Sequence, residues 1–172
     1  METKLIKNIL PKKFNKEVIQ HLCSNVEWSL AFDYSKDQIY DNIFYKNKNL
    51  GFSYISQNDP RQLFLNTVAK IVTYKVGEEL NLELFVERFM WNMYLPNQNS
   101  LIHKDKEDDN YLSILYNLHN NDGGTEINES FYQDFESEAK VFKSNLLHKG
   151  YGPKTSPIRF NLNIVTKYET NN

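Results

Sequence analysis

Three side chains of the 172-residue sequence have the types and spacing to hold one metal ion: His103, Asp105 and His148. In Leu101-Ile102-His103-Lys104-Asp105 an imidazole and a carboxylate stand two residues apart, and on a strand such residues share a face. His148 closes the apolar run from Ala139 to Leu147 and supplies a third donor. Two imidazoles and a carboxylate on one face of an octahedron leave three positions open, the donor set of a non-haem Fe(II) centre. Zinc prefers a tetrahedron and calcium more oxygens. The dyad alone is weak. Composition puts an acid two places after roughly one His in ten, and Lys104, Lys106, Glu107, Asp108 and Asp109 suit a surface His beside a charged turn equally well.

The company of the dyad strengthens it. Eleven residues after His148, Arg159 lies in the strand-like run Ile158-Arg159-Phe160-Asn161-Leu162-Asn163-Ile164. Alternation puts Arg159, Asn161 and Asn163 on one face and Phe160, Leu162 and Ile164 on the other. A guanidinium in such a strand needs an anion, and a carboxylate is its best bidentate partner. The other reading is an edge strand with a solvated polar face. Asn92 and Tyr94, again two apart, offer an amide and a phenol just upstream of the dyad; a core tyrosine with a locally satisfied hydroxyl is the simpler account of Tyr94.

The elements that must position these groups follow from periodicity. Lys4 to Leu10 reads as a short strand stopped by Pro11, and Phe14, Val18 and Leu22 mark a helix face. Val26 to Tyr54 is aromatic-rich without a helical period, so strands and loops are expected there. Asp59, Pro60 and Gln62 have the spacing of a helix start with a capping box. Leu63, Phe64, Val68, Ile71 and Val72 form that helix's buried stripe, and Gly77 ends it. From Leu82 the pattern turns to period two, with strands expected over Leu84–Tyr94, Ser100–Asp105, Tyr111–Leu118, Thr125–Asn128, Ala139–His148 and Ile158–Lys167. Gly123-Gly124 marks a tight turn. Many short strands behind two helices predict a mainly β fold with flanking helices, a sandwich or barrel of the α+β kind.

Bulk properties narrow the function classes. A net charge of −2 is unlike a dedicated DNA binder, which draws much of its affinity from neutralised phosphates. Cys23 is the one cysteine, which excludes an intrachain disulfide and a thiolate cluster; between Leu22 and Val26 it reads as a buried thiol on a helix. The opening Met-Glu-Thr-Lys-Leu lacks the apolar core of a signal peptide, and no apolar run is long enough to span a bilayer. A soluble cytoplasmic protein is expected, as a single domain over 1–172 with supporting elements in 1–80 and the β core in 81–170.

Taken together, Trp91 to Pro96, His103-Lys104-Asp105, Tyr111 to Asn117, Gly123 to Ile127, Val141-Phe142-Lys143-Ser144, Leu147 to Gly150 and Arg159 to Leu162 resemble the 2-oxoglutarate/Fe(II)-dependent oxygenase superfamily. The Gly-Gly pair and the Phe-x-Ser before the distal His look most like its prolyl-4-hydroxylase-like branch, of the small bacterial and bacteriophage type. The likeness covers the C-terminal half in order and spacing. It implies a double-stranded β-helix (a jelly-roll, cupin-like core) with His103, Asp105 and His148 as iron ligands. It also implies Arg159 on the distal carboxylate of 2-oxoglutarate, and Tyr94, Asn92, Tyr116 and Asn161 around the cosubstrate. The implied chemistry consumes O2 and 2-oxoglutarate, with ascorbate as a reductant. It releases succinate and CO2 and hydroxylates an unactivated C–H bond of a protein side chain, proline among them, or of a small amino-acid-like substrate. Two departures concern loop geometry: Asn97 follows Tyr-Leu-Pro where many members have Gly, and Asn117 interrupts the usual Tyr-Leu-Asn. Asn92-x-Tyr94 and Arg159-Phe160-Asn161-Leu162 also resemble nucleic-acid dealkylases of the superfamily, but Val165 stands where those carry a second Arg. A non-catalytic metal-binding β-barrel is the alternative from another class; it has no use for Arg159.

Overall fold

Alternating apolar residues build most of the molecule. The structure, a computed structural model, describes residues 2–30, 51–57 and 59–170. In chain order the elements are β1 (Lys4–Ile6), α1 (Lys12–Asn25), β2 (Ser29–Leu30), β3 (Phe52–Tyr54), a 3-10 turn (Pro60–Gln62), α2 (Leu63–Leu80), β4 (Leu82–Tyr94), β5 (Tyr111–Asn117), β6 (Gly124–Ile127), β7 (Ser130–Gln133), β8 (Ala139–Lys143), β9 (His148–Tyr151) and β10 (Arg159–Thr170). Most of the stretch between Val26 and Tyr54 lies outside the described residues; β2 and β3 are the strands described in it.

Among the described residues every strand pairing is antiparallel. Seven strands form a major sheet in the order β1-β8-β5-β10-β4-β3-β2, and three form a minor sheet, β7-β6-β9. Residues of opposite parity build two cores. Ile114, Tyr116, Val141, Phe160, Leu162 and Ile164 join the buried faces of α1 and α2 on the outer side of the major sheet. Leu115, Ile127 and Phe142 form a smaller core between the sheets. The architecture is the expected double-stranded β-helix with flanking helices. No described helix is long and apolar enough to cross a membrane.

Several local expectations are corrected. The run Ala139–His148 is two strands: β8 belongs to the major sheet and β9 to the minor one, with a turn between them closed by Leu146 N–H on the Lys143 carbonyl. His148 therefore opens a strand rather than closing one. Ser100–Asp105 is no regular strand; it runs beside β9 through isolated bridges at Asn99–Tyr151 and His103–His148. Four residue steps on that segment face three on β9, the mark of a bulge, which bends a chain and re-aims its side chains. Strand β7 escapes the sequence pattern, because its hairpin turns on Asn128 and Glu129, both at positive φ, and not on a glycine pair.

Gly123 and Gly124 make no left-handed turn, since no described glycine has positive φ. They allow close approach: a Cβ on Gly124 would stand 2.4 Å from the Tyr132 carbonyl oxygen. Gly77 does not end α2, which continues to Leu80 and is capped by Asn81 at φ 53. Asp59 caps as expected, accepting Arg61 N–H at 2.9 Å, but it starts the 3-10 turn. Gln62 does not close a capping box; it bonds His21 at 2.8 Å and the Asn25 carbonyl at 2.9 Å, tying α1 to α2. The buried stripe of α2 is Leu65, Val68, Ala69, Val72 and Val76, whereas Leu63 is exposed. Cys23 is exposed rather than buried, because α1 buries its Asn15, Val18 and Leu22 face.

Candidate metal centre and anion pocket

The face of the major sheet that looks toward the minor sheet carries the polar side chains. On β10 these are Arg159, Asn161 and Asn163. Register pairs Arg159 with Tyr94 and Asn161 with Asn92 on β4, and Asn161 with Asn117 on β5. At one end of this row stands the metal-ligand set, at the other a buried ion cluster.

His103, Asp105 and His148 converge: one donor atom from each lies within 4.8 Å of the others. His103 Nε2 is 3.9 Å and His148 Nε2 3.6 Å from the Asp105 carboxylate. The irregular segment brings His103 opposite His148 with ring centroids 4.3 Å apart. Each ring turns its Nδ1 to a carbonyl, His103 to Leu101 at 2.8 Å and His148 to Leu146 at 3.1 Å. With Nδ1–H so used, each Nε2 keeps a lone pair for a metal, the usual backing of a histidine ligand. Among the described residues, His148 Nε2 is buried and has no hydrogen-bond partner. Burial of such an atom is costly unless something binds it. A divalent ion fits that place.

Asp105 is fixed from two sides. Its Oδ1 accepts from Arg88 at 2.7 Å and its Oδ2 from the Ser113 hydroxyl at 2.6 Å. Burial works to raise the Asp105 carboxyl, but His148, Arg88 and the Ser113 hydroxyl outweigh it and hold the group below its ordinary value. Burial pushes the His148 imidazole down, so both residues stand in the forms that ligate metal. The Glu107-Asp108-Asp109 segment is exposed beside the site.

Arg159 is fully buried, as alternation implied, but it already has a carboxylate in the protein. Its Nε donates to Asp134 at 2.6 Å and its Nη2 to the Thr125 hydroxyl at 3.0 Å. Asp134 also accepts from Lys140 at 2.7 Å, and all three charged groups are shut off from solvent. The two cations hold the Asp134 carboxyl at about 2, although burial alone would raise it. Tyr94 packs its ring 5.0 Å from the guanidinium carbon.

Asn92 and Asn161 bond each other at 2.9 Å. If both amides turn, the Asn161 oxygen accepts from Arg159 Nη2 at 2.9 Å and from Nη1 at 3.2 Å. Tyr116 is the exception among the expected site residues. Its strand parity points it to the helix face, where its hydroxyl donates to Asn15 of α1 at 2.6 Å. It lies on the face opposite Arg159 and Asn161, in the helix-side core. Asn97, at the position where many superfamily members have Gly, takes φ 65, a conformation asparagine tolerates.

Sequence reasoning missed Arg88, Ser113, Thr125, Asp134 and Lys140. For Lys140 a signal existed: a lysine inside Ala139-Lys140-Val141-Phe142 is as anomalous as Arg159 in its own strand. Asp134 lies in a polar turn that nothing local distinguishes.

No family model matches this chain, and no curated protein matches it in sequence. Solved structures do match its fold. The non-heme alpha ketoglutarate dependent epimerase SnoN from nogalamycin biosynthesis superposes with a TM-score of 0.70 at 8% identity, over 98% of this chain and 77% of that one. HygX from Streptomyces hygroscopicus, solved with nickel and 2-oxoglutarate bound, gives 0.67 at 9% identity, over 96% and 82%. The viral collagen prolyl hydroxylase vCPH from Paramecium Bursaria Chlorella virus-1, solved as a 2OG complex, gives 0.61 at 12% identity, over 97% of both chains. At these identities the shared property is the fold.

Proposed function

We propose that this protein is an Fe(II)- and 2-oxoglutarate-dependent dioxygenase, with His103, Asp105 and His148 as the metal ligands. The observation that carries the reading is the orphaned, buried His148 Nε2 aimed at a carboxylate and a second imidazole. The resemblance in sequence and the fold shared with 2-oxoglutarate-binding proteins support it independently.

An iron so held, together with 2-oxoglutarate and O2, supplies the oxidation: one oxygen atom enters a substrate C–H bond while the oxo acid leaves as succinate and CO2. The protein's own contributions are binding, orientation and exclusion of water. Leu101 and Leu146 carbonyls hold the imidazoles, and Arg88 and Ser113 hold the carboxylate. Arg159, with Tyr94, Asn92 and Asn161 on the same face, receives the far end of the cosubstrate. His103 is partly exposed, so a metal held by this set would be open to solvent on the His103 side, where a substrate would approach.

The finer reading is hydroxylation of a protein side chain, proline among them, or of a small amino-acid-like molecule. It rests on the Gly-Gly and Phe-x-Ser features and on the near-equal length shared with the viral prolyl hydroxylase. Val165 is buried within the sheet, which leaves no second arginine for a nucleic-acid branch at that position.

Anaerobic addition of Fe(II) and 2-oxoglutarate should give a weak visible charge-transfer band. Asp105→Ala should abolish it, and a band of full intensity in that variant would refute the ligand set. Screening peptides, amino acids and nucleosides for stimulated succinate release then sorts the substrate classes.

A further inference from the structure

Between Phe142 and His148 the chain crosses from the major sheet to the minor one, and on the way it touches two of the three metal ligands. Phe142 sets the edge of its ring against His148, with centroids 5.0 Å apart and planes at 67°. The Leu146 carbonyl takes Nδ1 of the same imidazole. Ser144 attends to Asp105 instead. Its carbonyl accepts the Asp105 N–H at 3.0 Å and the Lys106 N–H at 3.2 Å, which fixes the backbone of the carboxylate ligand. Its own N–H donates to the Tyr111 carbonyl at 3.1 Å, one residue beyond the pairing of β8 with β5.

The Ser144 side chain reaches the same ligand by a second route. Its hydroxyl lies 2.9 Å from that of Ser113, and Ser113 lies 2.6 Å from Asp105 Oδ2. Both serines are fully buried. Valence fixes the direction of this chain. An ionised carboxylate only accepts, and a serine has one proton to donate. Ser113 gives its proton to Oδ2, so the bond between the hydroxyls runs from Ser144 to Ser113. In a dry interior each donor of such a series polarises the next.

The two oxygens of Asp105 are therefore held in different ways. Oδ1 meets Arg88, a long side chain that is 35% exposed. Such a stem can follow a carboxylate that turns. Oδ2 meets a short relay of two buried hydroxyls, one on β5 and one just past the end of β8, and that relay cannot follow.

We propose that Ser144 is a positioning residue of the metal centre that acts through Ser113: its hydroxyl orients and polarises Ser113, which fixes the Oδ2 side of Asp105. The inference rests on the metal-ligand reading above. It makes the serine of the Phe-x-Ser run part of the centre, although its side chain touches none of the three ligands.

The test is a double-mutant cycle on Ni(II) affinity, measured by calorimetry without 2-oxoglutarate, beside the denaturation midpoint of the metal-free protein. Ser113→Ala should weaken Ni(II) binding about 10–100-fold, the usual cost of losing a partner behind a metal ligand. Ser144→Ala should weaken it about fivefold, the scale of one neutral hydrogen bond. Because Ser144 acts through Ser113, adding Ser144→Ala to Ser113→Ala should cost no further affinity. Ser144→Cys, close to serine in size but a weak donor, should fall between serine and alanine, and it decides the matter if the alanine variant does not fold. Unchanged Ni(II) affinity in a folded Ser144 variant overturns the proposal, whatever happens to its midpoint, and so do losses that add in the double variant. Wild-type protein that binds no Ni(II), or binds it equally well after Asp105→Ala, defeats the metal-ligand reading itself. Binding that Asp105→Ala abolishes and the Ser144 variants leave intact defeats this inference alone.

Discussion

At His148 a hydrogen bond on one ring nitrogen decides what the other can do. The Leu146 carbonyl takes Nδ1, and Nε2 is left buried beside Asp105 with no hydrogen-bond partner among the described residues. At Tyr116 a hydrogen bond has the opposite consequence. Its hydroxyl is satisfied by Asn15 on the far side of the sheet, so Tyr116 serves to dock α1. Tyr116→Phe leaves the buried Asn15 Oδ1 unpaired and should cost about 1–3 kcal/mol of stability in chemical denaturation. Metal and 2-oxoglutarate binding should be unaffected; a specific loss of 2-oxoglutarate affinity would return Tyr116 to the pocket. The polar face of β10 was readable because an arginine and two asparagines alternate with Phe160, Leu162 and Ile164. The parity of β5 was not, because Ser113 to Asn117 is buried on both faces and no regular polar–apolar alternation marks one of them.

Among the elements, α2 and β4 show how a helix end can mislead. A glycine near the end of an apolar period reads as a stop, yet Gly77 sits inside the helix with the Leu82 carbonyl of β4 packed against it. Gly→Ala in a helix interior normally stabilises by about 0.5–1 kcal/mol. Here the new Cβ would stand 2.9 Å from that backbone oxygen, so Gly77→Ala should lower the denaturation midpoint. A raised midpoint would mean that the helix and strand can part at no cost. The segment Ser100–Asp105 makes a related point. Alternation placed His103 and Asp105 on one face, and they do converge, but through a bulged segment whose Ser100 hydroxyl accepts the Gly150 N–H at 2.7 Å in place of a ladder bond. Side-chain substitution for backbone pairing leaves no period in a sequence.

For the whole molecule, the buried charges tie stability to pH. Asp134 is held at about 2 in the folded state against roughly 3.9 for a free aspartate. A depressed carboxylate stabilises the fold above its unfolded value, and that stabilisation disappears as pH falls through the folded value. Unfolding free energy should thus drop by about 2 kcal/mol on this account between pH 5 and 2. The drop should be smaller in the Asp134→Asn, Lys140→Met variant. Identical acid profiles would show that Asp134 is not the group responsible.

Composition and period were enough for a sheet-rich fold behind two helices, for His103 and Asp105 turned to one side, and for a guanidinium turned inward. These features are local, carried by residue type and by short-range spacing, whereas His148 joined the dyad on residue type and resemblance because no period links it to residues 103 and 105. Which sheet a strand joins, that Arg159 meets Asp134 and Lys140 before any ligand, and that Arg88 and Ser113 brace Asp105 depend on partners 6 to 25 residues away. Such contacts are made when the two sheets close on one another, and desolvation inside that closed space is what turns ordinary charges into a site.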